Sequence, residues 1–378
     1  MSGKWTSGNF YELISAGLGG SVNQLLEVPN RQHMNNKKSE LHEWGNSLHR
    51  MPWDNHGALT NTEKLISSTV GEWYAAKHRE ASAEEIVLIN SHIPSVCPYC
   101  GAEVFIRKGF YTNGIQRYQC KICDQKFSPL TNTIFDNRKI PFSEWIEYLI
   151  HLFEFHSITT SARDNRNASS TGKYWLIKVF SVLKDTQAPV MLHGKVYIDE
   201  MFFSRYPRDL ILKEGKKLKG ISGNKICVAV GNDNHGGILI VVENVSKPSN
   251  KSTWEAYGSH IKEGSHLIHD DEHSHGILVR KLHLTESVYP SSETKGLKDE
   301  ENPMDPINNL HALIRRFMRE HGGFDRDDLQ DWMNLIWFIM SPPRNRYEKV
   351  KKFIDIALSS PLKVRYRDVM SKKSAEID

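Results

Sequence analysis

Four of the five cysteines form two C-x-x-C pairs, Cys97/Cys100 and Cys120/Cys123. Each pair is typical of a tight turn that aims two thiolates at one point, and the segment between the pairs fits a short hairpin, with strands at VFIRKGF and QRYQC. This spacing predicts a tetrahedral structural Zn²⁺ site with four cysteine ligands. A redox-active cysteine pair is the alternative interpretation, but it would need only one C-x-x-C pair, whereas the chain has two. The fifth cysteine, Cys227, lies in the apolar run ICVAVG and is predicted to be a core residue.

Two aspartates, Asp199 and Asp270, occur at corresponding places in a β-rich half of the chain. Asp199 lies in the apolar run KVYIDEMFF, and Asp270 directly follows the short predicted strand SHLIH. Between them come two predicted strands, KICVAVGND and GGILIVVEN, and a predicted helix at 252–264. A crossover helix makes the fourth strand parallel to one of the first three. If that partner is the first strand, the two carboxylates lie side by side and could bind Mg²⁺ in a two-metal phosphoryl-transfer site.

Asp270 belongs to the polar run HLIHDDEHSH at 266–275, which contains four histidines and three acids. The two apolar residues of the run predict a buried strand, so Asp270 is the expected ligand and Asp271 the alternative if the register differs by one. His269 and His273 could contact DNA or the metal ligands. Polar surface or satisfied packing is the favoured interpretation for both histidines.

A third ligand is expected from a later helix, DPINNLHALIRRFMREHGG at 305–323. Asn308 and Arg315 lie on one face of this helix, away from its apolar stripe. Asn308 offers a neutral carbonyl oxygen, and Arg315 could hold a phosphate. The competing interpretation is that Asn308 caps the helix N-terminus and that an aspartate at a strand end is an ordinary turn residue.

Lysine and arginine are concentrated at 97–139, 205–225 and 344–373, although the net charge is only +4. One such block is usually a solvated face, but three blocks favour a nucleic-acid partner. The zinc ribbon could equally serve as a structural or protein-contact module, and 205–225 could be a solvated hairpin. The candidate DNA contacts are Arg107, Lys108, Arg117, Lys121, Lys173, Lys216, Lys217 and Lys219.

Length and pattern predict an α+β multidomain protein, since 378 residues exceed one ordinary core. The predicted parts are a mainly helical region of unassigned role (1–92), a zinc ribbon (93–135), a helix-turn-helix-like DNA-binding module (136–188), an α/β catalytic domain with a mixed sheet (189–345) and a basic helical tail (346–378). The catalytic domain carries the basic insertion 205–225. Helices are expected at 61–78 and 82–92, and an irregular loop at 276–303.

The segment 141–185 is predicted to be helical throughout, with a polar turn before its last helix. Three helices in this order resemble a helix-turn-helix, although many three-helix bundles have the same periodicity. No run of about 18 apolar residues occurs, and MSGKWTSGNF lacks the apolar core of a signal peptide. The sequence therefore predicts a cytosolic protein with no membrane partner.

In order along the chain, the landmarks are CPYC…CKIC, NTIFDNRKIPFSEW, STGKYW, YIDEMFF, GISGNKICVAVGND, the HD dipeptide at 269–270 and DPINNLHALIRRF. With these landmarks the chain resembles the DDE transposases of insertion sequences, specifically the insertion-sequence 1595 family. The resemblance runs from about Cys97 to near residue 357. It implies a ribonuclease H-like catalytic domain that uses Mg²⁺ or Mn²⁺ to cut DNA at transposon ends and join them to a target.

Carried over by position, the resemblance implies that Asp199 and Asp270 are the first and second catalytic acids. Asn308 stands where the family has Glu or Asn, which gives a D-D-N triad, and Arg315 stands where a basic residue follows seven positions later. The chain departs from the family at 271–272, where Asp-Glu replaces a glycine-aromatic pair, and at His311, which replaces an aromatic residue.

The resemblance also implies a homodimer or higher oligomer on DNA, in the prokaryotic cytoplasm near the nucleoid. Two other functions remain open at the sequence level. Asn308 removes one negative charge from the triad, which is compatible with a transposase descendant that binds DNA without cutting efficiently. A structure-directed nuclease on the same fold is the other alternative.

Overall fold

The computed structural model describes residues 83–136, 140–165 and 167–369, together with residues 58 and 60. The predicted helix at 61–78 and the rest of 1–82, apart from those two residues, lie outside this part. Helix α1 (Ala83–Ser91) confirms the helix predicted at 82–92.

The cysteine-containing segment (97–127, the ribbon) forms a three-stranded antiparallel sheet of β1 (Phe105–Phe110), β2 (Gln116–Cys120) and β3 (Lys126–Phe127). The first two strands are the predicted hairpin. Three aromatic rings form its small core, in which Tyr118 stacks on Phe127 with ring centroids 5.5 Å apart and Phe105 packs edge-on against both. So small a core contributes little free energy of folding, which is why a metal is expected to complete it.

The three predicted helices follow as α2 (Phe142–Phe153), α3 (Ile158–Asp164) and α4 (Ser169–Leu183). Ser157 caps the N-terminus of helix α3, and its side chain accepts a hydrogen bond from the Thr160 backbone N–H. Helices α2 and α4 are joined by Trp145 and Trp175, whose rings stack with centroids 4.1 Å apart. These contacts hold the helices as one packed unit.

A five-stranded mixed sheet forms the centre of the second half of the chain. Its strands are β4 (Lys195–Ser204), β7 (Lys225–Asp233), β8 (Ile238–Val245), β9 (His266–His269) and β10 (Thr285–Val288), in the order β10-β9-β4-β7-β8. β4, β7 and β8 are antiparallel neighbours, whereas β9 is parallel to β4 and β10 is parallel to β9. The predicted mixed sheet, with the fourth predicted strand beside the first, is confirmed.

Alternation along the strands places successive side chains on opposite faces of this sheet. Val228 and Val230 of β7 pack into one hydrophobic cluster with α2, α4, and the later helices α8 (Asp305–Glu320), α9 (Leu329–Met340) and α10 (Arg346–Ser359). Ala229 faces the opposite cluster, which includes Tyr257 of helix α5 (Asn250–Tyr257). Cys227 is fully buried, as predicted. Helices therefore cover both faces of the sheet and fix its strands.

The expectation of an irregular loop at 276–303 is wrong. The segment contains α6 (Gly276–Lys281), the edge strand β10, α7 (Ser291–Thr294) and a 3₁₀ turn at Asp299–Glu301. Periodicity failed here because β10 is a short edge strand with mostly exposed side chains, so its sequence TESV lacks an apolar alternation. Pairing with β9, not local pattern, makes it a strand.

The basic segment 205–225 lies between β4 and β7 and contains a 3₁₀ turn (Pro207–Asp209) and a two-stranded hairpin of β5 (Leu212–Lys213) and β6 (Lys216–Lys217). In the tail, Lys351 and Lys352 are exposed on α10, but Lys349 is buried and donates to the Phe338 carbonyl oxygen. Residues 370–378 lie outside the described part. Within that part, no helix combines the length and apolar character that a membrane crossing requires. The domain boundaries themselves stay predictions.

Candidate metal-binding active site

Parallel pairing of β4 and β9 brings the two predicted aspartates together. Tyr197 pairs with Ile268, so Asp199 follows two residues later on β4 and Asp270 follows two residues later, directly after the end of β9. One carboxylate oxygen from each of Asp199, Asp270 and Glu200 lies within 4.8 Å of the others. Oxygen ligands at this spacing suit a hard divalent cation such as Mg²⁺ or Mn²⁺.

The Asp199 carboxyl has a strongly raised pKa. Burial, followed by the negative charges of Glu200 and Asp270, raises this pKa to about 7. The Glu200 backbone N–H donates to Asp199 Oδ1 at 2.8 Å and opposes this rise. Carboxylates that repel one another in a low-dielectric place are stabilised when a cation lies between them, so these residues fit the predicted metal.

Helix α8 faces this cluster through His311, which the sequence analysis noted only as a departure from the family. His311 Nδ1 is 3.6 Å from Asp199 Oδ2. Burial, and then the positive charge of Arg315, lower the pKa of His311 to about 4, so the ring is neutral at physiological pH. Asn308 and Arg315 lie three residues before and four residues after His311, both exposed on the same region of the helix. The predicted third ligand and predicted phosphate-binding arginine thus share the helix face that approaches Asp199.

A buried polar network beside the aspartates is formed by Glu200, His269 and His275. The sequence analysis did not predict that these three side chains contact one another. His275 Nε2 lies 2.9 Å from Glu200 Oε1, and His275 Nδ1 lies 3.1 Å from His269 Nδ1 and 3.7 Å from Asp270 Oδ1. His269 is buried, with its Nε2 3.2 Å from Glu286 Oε2, whereas His273 is exposed. The density of histidines in 266–275 was the available signal. The Glu200–His275 contact spans 75 positions, so only the fold specifies it.

The four ribbon cysteines converge on one point. Cys97 Sγ and Cys123 Sγ are 3.7 Å apart, Cys100 Sγ and Cys120 Sγ are 3.6 Å apart, and all four sulfurs lie within 4.8 Å of one another. Metal–sulfur bonds of about 2.3 Å in a tetrahedron separate sulfurs by about 3.8 Å. Backbone N–H groups of Cys123 and Ile122 point at Cys120 Sγ and lower the pKa of its thiol to about 7. The arrangement favours a thiolate-bound metal.

The predicted DNA contacts lie on three parts of the fold, which are the ribbon, α4 and the basic insertion. Arg117 is only partly exposed, and its guanidinium donates two hydrogen bonds to the Lys108 carbonyl oxygen. The remaining seven side chains are exposed: Arg107, Lys108 and Lys121 on the ribbon, Lys173 on α4, and Lys216, Lys217 and Lys219 on the basic insertion.

Comparison with known proteins gives one sequence relative and weak structural likenesses. No family model matches the chain. The chain is 32% identical over 109 residues to an uncharacterised protein in transposable element ISH50 of Halobacterium salinarum, a match that covers 28% of this chain and 35% of that protein. The chain thus spans about a third of the length of this relative.

Two solved structures show low similarity. They are the Mos1 strand transfer complex, with a TM-score of 0.26, and a pre-cleavage Mos1 transpososome, with a TM-score of 0.20. Each is 11% identical and covers 58% of this chain and 78% of the matched chain. Similarity at this level carries no argument about the fold or the function of the chain.

Proposed function

We propose that this protein is a DNA transposase that binds the ends of an insertion sequence and performs metal-dependent DNA cleavage and strand transfer. The observation that carries the proposal is the position of Asp199 on β4 beside Asp270, which directly follows the parallel neighbour β9, in a cluster of three carboxylates. The strand order β10-β9-β4-β7-β8, with three antiparallel strands followed by two parallel ones, agrees with the ribonuclease H-like domain that the resemblance implies. The relative from a transposable element supports the same class.

In the proposed mechanism Asp199, Asp270 and Asn308 would hold two Mg²⁺ or Mn²⁺ ions, which would supply positive charge to polarise the phosphodiester and to stabilise the attacking and leaving oxygens. Asp199 lies on β4 and Asp270 directly follows β9, so both carboxylates are in place before DNA binds and the ligands need little reorganisation. Arg315, at the exposed end of the same helix face, would bind a phosphate oxygen of the DNA. No protein side chain is needed as a nucleophile.

The ribbon and the helices α2–α4 would supply binding to the element's ends. Zn²⁺ held by Cys97, Cys100, Cys120 and Cys123 would fix the ribbon fold. The exposed basic residues of the ribbon, α4 and the insertion would then contact the phosphate backbone of double-stranded DNA. Because cleavage and joining involve two element ends, the active form would be a homodimer or higher oligomer, located with the nucleoid in the cytoplasm.

The test is a cleavage and strand-transfer assay with duplexes carrying the element's own ends, in Mg²⁺ and in Mn²⁺. Asp199→Asn and Asp270→Asn should each lower the rate at least about 100-fold, because each removes a ligand worth several kcal/mol in the transition state. Asp271→Asn is the matched control, since Asp271 is exposed and lies outside the carboxylate cluster. Equal activity of the wild type and both aspartate variants would contradict the site assignment.

The same assay separates the two alternatives. A protein that binds the ends tightly but neither cuts nor joins them is a DNA-binding derivative, and Asn308→Glu would then be expected to restore cleavage by returning a negative ligand. A protein that cuts branched duplexes without the element's ends, and joins nothing, is a structure-directed nuclease.

A further inference from the structure

A second group of potential metal ligands lies beside the carboxylate cluster and uses nitrogen donors. One ring nitrogen of His269, one of His275 and an Asp270 carboxylate oxygen lie within 4.8 Å of one another, and the two Nδ1 atoms are 3.1 Å apart. His269 and His275 are almost completely buried, with 4% and 0% of their surface exposed, whereas Asp270 is partly open to solvent. The group therefore has a buried imidazole side and one accessible carboxylate side.

The opposite nitrogen of each ring contacts a carboxylate. His275 Nε2 lies 2.9 Å from Glu200 Oε1, and His269 Nε2 lies 3.2 Å from Glu286 Oε2. A carboxylate accepts but cannot donate, so each Nε2 carries the proton and donates it. In the neutral rings both Nδ1 atoms are then unprotonated, and their lone pairs face each other at 3.1 Å. Two facing acceptors repel unless a proton or a metal ion lies between them.

We propose that His269, His275 and Asp270 bind one zinc-like transition-metal ion, distinct from the Mg²⁺ or Mn²⁺ ions of the proposed catalytic site. Imidazole nitrogen suits Zn²⁺, whereas Mg²⁺ and Mn²⁺ prefer oxygen ligands. The contacts of Glu200 and Glu286 are the carboxylate–histidine–metal arrangement that orients a metal-binding ring and raises its basicity.

The distances agree with such an ion after small movements. Zn–N bonds of about 2.0–2.1 Å in a tetrahedron separate two nitrogens by about 3.4 Å, close to the 3.1 Å between the rings. Asp270 Oδ1 is 3.7 Å from His275 Nδ1 and needs only a small shift to complete three protein ligands. Three ligands leave a fourth position for water or another group on the side of Asp270. Because Asp270 belongs to both groups, the ion would also fix the position of this proposed catalytic acid.

The experiment measures zinc stoichiometry on the full chain, dialysed against Zn²⁺ with Mg²⁺ in excess so that the oxygen-ligand site is occupied by Mg²⁺. Elemental analysis should give one zinc ion fewer per chain in His269→Gln and in His275→Gln than in the wild type. The ribbon cysteines and the separate group of His151, His156 and Asp164 are unchanged in these variants, so any zinc that they hold cancels in the difference. His273→Gln is the matched control, since His273 is exposed two residues from His275, and it should bind as much zinc as the wild type.

A second variant keeps the test valid if the buried substitutions prevent folding. Glu286 is 43% exposed at its side chain, so Glu286→Gln removes the partner of His269 from an accessible edge strand. Loss of such a carboxylate should weaken Zn²⁺ binding at this site about 10- to 100-fold in a calorimetric titration of protein whose ribbon is already loaded.

Equal zinc content in the wild type, His269→Gln and His275→Gln, which would mean that a proton is shared between the rings, overturns the proposal. An unchanged affinity in Glu286→Gln overturns it as well. None of these measurements involves DNA cleavage, so the zinc site and the proposed transposase activity can fail separately.

Discussion

Replacing Asp199 with asparagine should stabilise the fold at alkaline pH while abolishing the proposed activity. In the metal-free chain, burial and the charges of Glu200 and Asp270 raise the pKa of Asp199 to about 7 from an ordinary value of 3.8. A carboxyl whose folded pKa exceeds its unfolded pKa destabilises the fold when ionised. This penalty is small near pH 4, grows as the pH rises towards 7, and is complete above it.

The size of the effect follows from the two pKa values. A rise from 3.8 to about 7 corresponds to roughly 4 kcal/mol in the free energy of unfolding, and solvent screening of a side chain that is 27% exposed reduces this to about 2–4 kcal/mol. Asn keeps the oxygen that accepts from the Glu200 N–H but carries no charge. Asp199→Asn should therefore be about 2–4 kcal/mol more stable than the wild type at pH 8, and about 1 kcal/mol or less at pH 4.5.

Urea unfolding at both pH values, in buffer free of Mg²⁺ and Mn²⁺ but with the ribbon metal retained, measures this difference. Comparing variant with wild type at each pH cancels the groups that titrate in both proteins. Asp271→Asn, an exposed neighbour of Asp270, serves as the control and should show no pH-dependent gain. A stability difference for Asp199→Asn that is the same at pH 8 and pH 4.5 would refute the electrostatic reasoning.

Other expected outcomes test the metal, the core and the basic surface. Mg²⁺ should raise the thermal unfolding midpoint of the wild type but not that of Asp199→Asn, as measured by differential scanning calorimetry. The reason is that an ion which binds only the folded state adds stability in proportion to the logarithm of its free concentration. Cys120→Ser should leave the ribbon unable to bind its metal, which proteolysis confined to 97–127 would reveal. Leu267→Ala removes a fully buried side chain of β9 and should cost about 2–5 kcal/mol in urea unfolding. Changing Lys216 and Lys217 to Gln together should reduce the slope of log K against log salt for duplex binding by about 2, measured by fluorescence anisotropy.

Local sequence patterns were enough to predict several structural elements of this protein. The C-x-x-C pairs and the hairpin between them predicted a convergent four-sulfur site, and the sulfurs do converge. Such a site forms within 27 residues, from Cys97 to Cys123, so local spacing determines it. Helices α2 and α4 also followed from periodicity, since their buried residues repeat with the helical period. The crossover helix predicted a parallel partner for β9, and the closeness of Asp199 and Asp270 was predicted on the condition that this partner is β4, which the structure confirms.

Pattern reasoning failed where contact between distant segments decides the structure. β10 is a strand because β9 pairs with it, not because TESV has a strand-like alternation. His311 lies close to Asp199 because α8 packs against the sheet. Helix periodicity alone could not predict which face of α8 would approach the carboxylates. The assigned third ligand, Asn308, stays a prediction.

The sequence by itself determined the kinds of donor available, which are four thiolates and a set of carboxylates and histidines. It also determined the succession of strands and crossover helix that allows Asp199 to lie near Asp270, whereas the sheet order was settled by the tertiary structure. Only the tertiary structure decided which histidines are buried and which nitrogens face each other. Burial depends on long-range packing: His275 is enclosed because Glu200, 75 positions away, lies beside it, whereas His273 two residues earlier remains in solvent. Residue type supplies the chemistry of a ligand, but the low dielectric and fixed partners that give it a perturbed pKa or a metal come from the fold.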